Sequence, residues 1–399
     1  MKTKNILKKI LIVFAVVIVG VTVVTAVVNT VLFKLNLNRI EEYSPVNNPD
    51  AIIPVADDNG EYTFTTDREL KILTLTDIHI GGGWMSFKKD RMAINTVAAM
   101  VTAEKPDLVV ITGDIAYPVP FQSGTFNNKT SATLAIRLFE KLGVPWTVTF
   151  GNHDTESYSY FSREKIGDLY SDPALEKCLF SKGPDSVDGV GNYVIHVKNS
   201  TGIPVQELVF IDSHSYTDGD IFGIFWKYDN VHQNQVDWYE SKIKDAQKLN
   251  PDVKSLLFMH IPLVEHRDAY NEYLANGNKD TENVKWIWGE MGEKDPYVYC
   301  GMHEDNLFEK IVELGSTKAV FVGHDHLNNM VLNYKGVDLT YNYSVDYLAY
   351  IGISEKGDQR GCTVVTVNPD GTYEQVHENY YQDKYQPLYP KENVTFVNK

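Results

Sequence analysis

Five short segments of the sequence carry side chains that bind transition metals, and each one follows a run of apolar residues. The segments are Asp77-Ile78-His79, Gly113-Asp114, Gly151-Asn152-His153-Asp154, His260 and Gly323-His324-Asp325-His326. Ligand sites in open α/β sheets lie outside the carboxyl ends of strands, so we expect the five segments to converge. Within Asp77-x-His79 and His324-x-His326 the partners stand two residues apart. In extended backbone, that spacing points both side chains to the same side.

The donor set predicts a site for zinc, manganese or iron. Imidazole and carboxylate groups with one amide oxygen suit these ions and do not suit Cu(I) or calcium. Any one of these residues alone is more often a cap or a hydrogen-bonded core group, so the prediction rests on the ordered set. Seven donors are too many for one tetrahedral ion and suit two ions that share a carboxylate. The candidate ligands are Asp77, His79, Asp114, Asn152, His260, His324 and His326.

The elements that would position these residues alternate between strand and helix in the first half of the chain. Apolar, β-rich runs predict strands at 71–76, 108–112, 146–150, 193–197, 208–211, 255–259, 319–322, 330–333, 337–341 and 363–367. Helices are predicted at 87–104, 132–141, 234–247 and 304–313. The pattern indicates a layered α/β fold with a central sheet, or two packed sheets flanked by helices. Residues 156–190 and 214–232 are expected to be long loops.

Composition excludes several classes of protein. The 399 residues include 37 Lys and Arg against 53 Asp and Glu, a net charge of −16. An acidic chain repels phosphate backbones, so general nucleic-acid binding is not expected. Three cysteines without a Cys-x-x-Cys pair exclude a thiolate zinc cluster and a disulfide-dense scaffold.

The N-terminus has the length and charge of a membrane segment. Residues 10–28 are apolar except for Gly20, Thr22 and Thr25, and about 20 such residues span a bilayer. Four lysines precede the run and favour a cytoplasmic N-terminus. The expected location is the cell membrane, in a single pass with the rest of the chain outside the cytoplasm. The alternative is a signal peptide cleaved near Val24-Thr25-Ala26, which would yield a secreted protein.

Four regions follow from these patterns. Residues 1–34 are expected to be an anchor or signal segment. Residues 35–66, rich in Asn, Pro and Asp, are expected to be a linker or stalk with a short strand at 62–64. Residues 67–375 are expected to form the main domain, which holds all the candidate ligands. Residues 376–399 are expected to be a polar, tyrosine-rich tail that wraps the surface.

The series Asp-x-His, Gly-Asp, Gly-Asn-His-Asp, His and Gly-His-x-His resembles the calcineurin-like metallophosphoesterase superfamily. The resemblance covers roughly residues 71–367. Lys71-Ile72-Leu73 and Phe258-Met259-His260-Ile261-Pro262 are similar to the branch near the purple acid phosphatases, in its Asp-x-His form. The resemblance implies an α/β fold, a four-layer metallophosphoesterase sandwich in which two central mixed β-sheets are flanked by helices.

The same resemblance implies a role for each motif residue. His153 would face the substrate as an acid or as a stabiliser of the transition state, and Asp154 would orient it. The metal roles are the first ion for Asp77, His79 and His326, the second ion for Asn152, His260 and His324, and a bridge between both for Asp114. Tyr117 matches a position that binds ferric iron in purple acid phosphatases. Since His79 already fills that coordination position, we expect no iron–tyrosinate site.

Two such cations would lower the pKa of a bridging water and neutralise the phosphoryl oxygens during in-line attack. The predicted activity is therefore hydrolysis of phosphate esters by a bridging hydroxide, with a phosphorylated small molecule or another phosphoester as substrate. A phosphomonoesterase is favoured, and the alternatives are a phosphodiesterase or nucleotidase and a catalytically silent metal-containing binding protein. Further candidates for substrate contact are Asn152, His214, His266 and Tyr117. The sequence leaves open which of Fe, Mn and Zn is bound.

Overall fold

Two β-sheets and the helices around them form the molecule, and the computed structural model describes residues 2–220, 223–294 and 297–396. Within those ranges the helices are α1 Lys2–Ile40, α2 Phe87–Glu104, α3 Pro120–Ser123, α4 Asn128–Leu142, α5 Arg163–Tyr170, α6 Gln233–Leu249, α7 Val264–Ala275 and α8 Leu307–Leu314. The strands are β1 Val55–Ala56, β2 Tyr62–Thr65, β3 Leu70–Leu75, β4 Leu108–Thr112, β5 Trp146–Thr149, β6 Tyr193–Lys198, β7 Pro204–Phe210, β8 Lys254–Phe258, β9 Val284–Trp288, β10 Thr317–Val322, β11 Val331–Tyr334, β12 Val337–Tyr341, β13 Gly361–Val367 and β14 Tyr373–Asn379.

Both sheets are mixed. The smaller sheet has the order β14-β13-β3-β4-β5, in which β3, β4 and β5 are parallel and β13 pairs antiparallel with β3 and β14. The larger sheet has the order β1-β2-β6-β7-β8-β10-β12-β11-β9, with β7, β8, β10 and β12 parallel. This confirms the predicted α/β fold with two mixed sheets flanked by helices.

The core lies between the sheets and on the outer face of each. In the larger sheet, Phe210, Phe258 and Phe321 stack side by side on the inner face, with ring centroids 5.2 and 5.1 Å apart. Their chain neighbours Val209, Leu257 and Val320 belong to a second cluster, which residues of α6, α7 and α8 complete. On the other side, α2 and α4 pack on the smaller sheet. Strands that are covered on both faces appear in the sequence as continuous apolar runs. For this reason β4 and β8 could be predicted.

Both ends of the chain pack on this sandwich. Residues 35–66, expected to form a linker or stalk, instead pack on the domain: they include the end of α1, where Ile40 is fully buried. The short strand expected at 62–64 is present as β2, which pairs in parallel with β6. The tail contributes β14 and buries Tyr380 and Tyr385. Tyr389 reaches α1, where the Arg39 guanidinium lies 3.4 Å from the centroid of its ring. The turn-forming composition therefore marks a segment that is irregular but ordered.

Six of these elements were missed in the sequence: α3, α5, α7, β1, β9 and β14. Helix α5 lies inside the predicted loop 156–190, and α7 and β9 lie in a region where no element was expected. Helix α7 buries only four side chains, so its apolar stripe is too short to recognise: Val264, His266, Ala269 and Tyr270. Strand β9 is mostly exposed at the edge of the larger sheet, and it lacks the buried run that identifies central strands.

Among the described residues, one helix is long and apolar enough to cross a membrane. In α1, residues 8–40 meet that criterion, and the most apolar window is not buried by the rest of the protein. By length and composition, this helix fits a membrane anchor or a signal sequence.

A buried arginine fixes the loop after β12. Arg360 is 1% exposed, and its guanidinium lies 3.7 Å from the ring centroid of Tyr347. It donates hydrogen bonds to four backbone carbonyls in this loop, those of Val345, Asp346, Ile353 and Lys356. The side chain thus replaces the regular hydrogen bonding that an irregular buried segment lacks.

We expect Arg360→Met to lower the free energy of unfolding by about 3 kcal/mol, because several buried carbonyls lose their donor. Urea unfolding followed by circular dichroism measures this loss. Arg137→Met, which removes an exposed arginine of α4, is the matched control and should change stability by less than about 0.5 kcal/mol. Equal stability of the two variants would contradict this role of Arg360.

Candidate metal centre and active site

The predicted donors meet at the carboxyl ends of five strands, in both sheets. Asp114, which follows β4, stands at the centre. Its Oδ2 lies 3.3 Å from Nε2 of His79 and 3.2 Å from Nε2 of His260. All three side chains are completely buried. One carboxylate oxygen therefore separates two groups of donors, as a ligand shared by two cations would.

The first group contains Asp77, His79, Asp114 and His326. Each offers one ligand atom, and these atoms all lie within 4.8 Å of one another. Nε2 of His326 is 3.5 Å from Oδ1 of Asp77, and Nε2 of His79 is 4.0 Å from the same oxygen. Two carboxylates and two imidazoles at this spacing fit a single divalent or trivalent transition metal.

The second group contains Asn152, His260 and His324, with Asp114 again. Oδ1 of Asn152 lies 3.2 Å from Nε2 of His260, and the rings of His260 and His324 are 5.2 Å apart. His324 is buried, yet neither ring nitrogen has a hydrogen-bond partner among the described residues. Leaving a buried polar atom unpaired is costly, so such an imidazole fits a metal ligand. The residues present thus suit a dinuclear centre.

The buried donors shift one another's pKa values. Burial raises the pKa of Asp114, but the imidazoles of His260 and His153 hold that pKa well below its usual range. Burial lowers the pKa of His260, and the charge of Asp114 outweighs this effect and raises it to about 9. The pKa of His324 is lowered by burial and by His260. His324 is therefore neutral, which is the form in which imidazole binds metals.

Four of the predicted ligands have a backbone conformation that is rare outside glycine. The φ angles are 50° at Asp77, 51° at His79, 53° at Asp114 and 78° at His324. The left-handed region costs an ordinary residue about 1–2 kcal/mol. The expectation that Asp77 and His79 project from extended backbone is therefore wrong. The chain turns sharply after β3, and both side chains reach the site from that turn.

Two glycines in the motifs are required by close approach. A Cβ on Gly113 would lie 2.5 Å from Nδ1 of His260, and φ at Gly113 is 89°. A Cβ on Gly151 would lie 2.1 Å from Oδ1 of Asp114. Larger residues at either position would displace the ligands, which explains why glycine precedes Asp114 and Asn152.

His153 lies beside the donors and is the most accessible imidazole of the site. Its side chain is 21% exposed, against 0% for His79 and 5% for His326. Its Nδ1 is 2.7 Å from Oε1 of Glu156, which leaves Nε2 as the nitrogen free to face a substrate. Burial lowers the pKa of His153, and Asp114 and Glu156 raise it above the ordinary value. The protonated form is thereby favoured.

Asp154 contacts backbone groups. Its carboxylate accepts N–H groups of Gly151, Asp114 and Ala116 at 2.8 to 3.0 Å. Burial and the nearby charge of Asp114 raise its pKa to about 6. Asp154 therefore joins the two loops that carry the ligands. The expected orientation of His153 by Asp154 is not seen as a direct contact: Glu156 holds the ring, and the backbone N–H of His153 is donated to Asp114.

The further candidates for substrate contact are dispersed. The ring of Tyr117 lies 4.7 Å from the rings of both His79 and His153, and its hydroxyl donates to Gln122. His214 hydrogen bonds to Gln235 through Nε2 at 2.8 Å and stacks on His232. His266, expected on a loop, lies in α7. It is buried, and its ring contacts Tyr341.

Several residues around the ligands were not predicted. Asp346 contacts two ligand imidazoles: its carboxylate is 3.0 Å from Nδ1 of His79 and 3.4 Å from Nδ1 of His326. The hydroxyl of Tyr216 accepts a hydrogen bond from the amide of Asn152 at 3.0 Å, and the ring of Tyr228 lies 4.3 Å from that of His324. Asp346 follows the end of β12 by five residues, so strand ends alone do not reveal it. Glu156 is three residues after His153, a spacing that could have indicated it.

This fold and this donor arrangement define a metallophosphoesterase. The chain belongs to the calcineurin-like phosphoesterase family, because the sequence model of that family matches residues 70–328. This match confirms the resemblance seen in the motifs. It is 29% identical over 316 residues to the Arabidopsis thaliana protein named "Probable inactive purple acid phosphatase 14", covering 72% of this chain and 73% of that one. It is also 29% identical over 294 residues to Phosphatase DCR2 of Saccharomyces cerevisiae, covering 67% and 46%.

A solved structure is similar as well. The crystal structure of a dimetal phosphatase from Danio rerio matches with 12% sequence identity and a TM-score of 0.47. The match covers 76% of this chain and 94% of that chain.

We expect Asp346→Asn to weaken metal binding by about 10–100-fold, because a carboxylate that orients ligand imidazoles also increases their basicity. Metal content after dialysis against graded chelator measures the change. Asp252→Asn, in an exposed turn before β8, is the matched control. Unchanged metal retention in Asp346→Asn would contradict the role assigned to Asp346.

Proposed function

We propose that this protein hydrolyses phosphate monoesters at a dinuclear metal centre. The observation that carries the proposal is the position of Asp114 Oδ2 between Nε2 of His79 and Nε2 of His260, at 3.3 and 3.2 Å. Asp77, His79 and His326 would hold one cation, and Asn152, His260 and His324 would hold the other, with Asp114 contacting both. When bound, two such cations supply an activated water and neutralise phosphoryl oxygens.

The chain's own residues supply positioning and a proton. Glu156 holds Nδ1 of His153, so the proton that can be given to a leaving oxygen resides on Nε2. General acid catalysis of this kind contributes about 10²–10⁴-fold. Tyr117 packs its ring on His79 and His153 and directs its hydroxyl to Gln122, which supports a site without a tyrosinate ligand.

A terminal phosphate is favoured over a diester by the tyrosines near the second metal position. Tyr216 hydrogen bonds to Asn152, and Tyr228 lies against the ring of His324. Aromatic side chains on these two ligands limit the space on that side of the site. A phosphate monoester carries an organic group on one oxygen, whereas a diester carries one on two oxygens. The monoester therefore needs less room on that side of the site.

The second candidate function is that of a catalytically silent metal-containing protein. Three plant relatives carry "inactive" in their names, which favours it. The presence of His153 with its partner Glu156 beside a full set of donors supports catalysis here. A silent protein has no need for an accessible, oriented imidazole.

We place the catalytic domain at residues 67–375, with residues 35–66 and 376–399 packed on it. Residues 1–34 would anchor it in the cell membrane in a single pass, with the N-terminus in the cytoplasm and the catalytic domain outside. The lysines before the apolar run support this orientation. Cleavage of the same segment would instead yield a secreted enzyme.

The test uses the full chain, purified in detergent without chelator. Metal content per chain is measured with the rates on p-nitrophenyl phosphate and bis-p-nitrophenyl phosphate. Two transition metals per chain and faster hydrolysis of the monoester are expected. Faster hydrolysis of the diester would replace the monoesterase with a phosphodiesterase. Two metals with neither activity would favour the silent protein.

We expect Asp114→Asn to lose detectable hydrolysis while it keeps the wild-type circular dichroism spectrum. The amide has the same shape but lacks the charge that a ligand shared by two cations needs. Asp370→Asn, in an exposed turn after β13, serves as control. An active Asp114→Asn enzyme would contradict the assignment of two metal ions to this site.

His153→Ala should lower kcat by about 10²–10⁴-fold, with metal content close to wild type, because the variant loses the proton donor and keeps every ligand. Turnover and metal content are measured on the same preparation. The control is His303→Ala, which removes an exposed histidine. If His153→Ala loses metal in proportion to activity, His153 acts as a ligand and not as the acid.

A further inference from the structure

Helix α1 lies along α2 and runs in the same direction. The amide of Asn29 donates to the carbonyl of Gly124 at 3.2 Å and accepts the N–H of Trp84 at 2.9 Å. Two further contacts join residues farther along the chain from Asn29 to residues farther along α2, in the same order. They are Arg91 Nε to Asn36 Oδ1 at 3.1 Å and Tyr43 Oη to Asn95 Oδ1 at 3.2 Å. The part of α1 before Asn29 must therefore project past the start of α2.

The start of α2 is at the catalytic edge of the molecule. Helix α2 follows the turn that carries Asp77 and His79, and the ligand-bearing loops of both sheets meet at this edge. The apolar part of α1 thus leaves the domain on the side where the metal site lies. Residues 10–28 form about 28 Å of helix at 1.5 Å per residue, close to the thickness of the hydrocarbon core. With that span in a bilayer, Asn29 and its partner Trp84 lie at the membrane surface.

Exposed apolar side chains surround α1 at this level. We call them the apolar rim: Trp84, Met85, Phe121, Phe126 and Tyr160. Phe121 is 88% exposed and Tyr160 is 66% exposed, which is unfavourable in water and typical of side chains at a membrane interface. Exposed lysines lie beside the rim, although the chain outside residues 1–40 is strongly acidic: Lys34, Lys88 and Lys129. Cations in this position suit anionic headgroups.

A cleft of about 780 Å³ separates the rim from the helix. Val21, Thr25 and Ala26 line it from α1, and Trp84 and Phe126 line it from the domain. One layer of loops lies between the cleft and the metal site, since Gln122 of α3 accepts the hydroxyl of Tyr117, whose ring packs on His79. The lining of the cleft is mainly apolar, and the α1 residues that line it belong to the run that would span the bilayer. Both features suit a lipid chain.

We propose that α1 holds the catalytic edge against the bilayer and that the substrate is a phosphate monoester carried on a membrane lipid. This rests on the phosphatase function proposed above and names its substrate class. The phosphate would enter the metal site from the headgroup layer, while the hydrocarbon part stays in the membrane and in the cleft. A soluble phosphate ester is the alternative that the tests must separate.

The orientation is tested without any activity measurement. The three native cysteines are buried and unpaired within the described chain, so Phe121→Cys can be labelled selectively with a fluorophore. In nanodiscs, spin-labelled lipids should quench this probe. A probe at Leu249→Cys, at the end of α6 on the opposite edge, should be unaffected. Equal quenching at both positions would overturn the orientation, as would recovery of the mature chain without residues 1–26.

The substrate class is tested with phosphatidic acid in phosphatidylcholine nanodiscs and with p-nitrophenyl phosphate in solution. The double variant Trp84→Ser, Phe126→Ser should release phosphate from phosphatidic acid at least about tenfold more slowly than wild type. It should hydrolyse p-nitrophenyl phosphate at the wild-type rate, because both residues are outside the metal site. Leu249→Ser removes an exposed apolar side chain far from the rim. This control should match wild type on both substrates.

The outcomes separate the two proposals. Hydrolysis of p-nitrophenyl phosphate without hydrolysis of phosphatidic acid would overturn the lipid substrate and leave the phosphatase intact. A rim variant that cleaves phosphatidic acid at the wild-type rate would overturn the role of the rim. A metal-loaded chain that cleaves neither substrate would overturn the phosphatase function itself.

Discussion

The buried carboxylate of Asp114 is the group on which the site depends. It is completely buried, with one oxygen between two imidazoles and the other accepting the N–H of His153 at 2.8 Å. A buried charge is tolerated only when it is closely compensated. The surrounding chain therefore has to come unusually near, and the glycines at 113 and 151 permit this approach. The metal-binding motifs therefore specify a backbone conformation as well as the ligand side chains.

Strain at the ligands is balanced by the rigidity of the sheets. Left-handed backbone at Asp77, Asp114 and His324 follows directly after buried strands, whose side chains fill the core on both faces. A well-packed core resists deformation, so the energy held in the turns does not relax by moving the strands. The loop after β12 has no such strand support at its middle. There, the guanidinium of Arg360 organises the carbonyls around Asp346, and Asp346 in turn contacts two imidazoles.

Much of the fold and the positions of the donors could be predicted from the sequence. Buried parallel strands give continuous apolar runs, and polar residues after such runs lie at one edge of a sheet; hence Asp77, Asp114 and His260 were found together. Asp346 was missed because it is far from its strand end and is fixed by a tertiary contact with Arg360. Helix α7 and residues 35–66 were misjudged because short amphipathic stripes and turn-rich composition do not reveal packing. The turn at Asp77 was missed because side-chain spacing does not report a positive φ.

The two ends of the chain meet on α1, and this sets an order for folding. Tyr389 packs on Arg39 and contacts Asn95 of α2 through its carbonyl oxygen, which accepts the amide N–H at 2.9 Å. Ribosomes synthesise α1 well before Tyr389. The second half of α1 therefore forms its final contacts only after the segment around Tyr389 has been synthesised. A prematurely terminated chain would expose this face of α1, and its incomplete packing would mark the product for proteolysis.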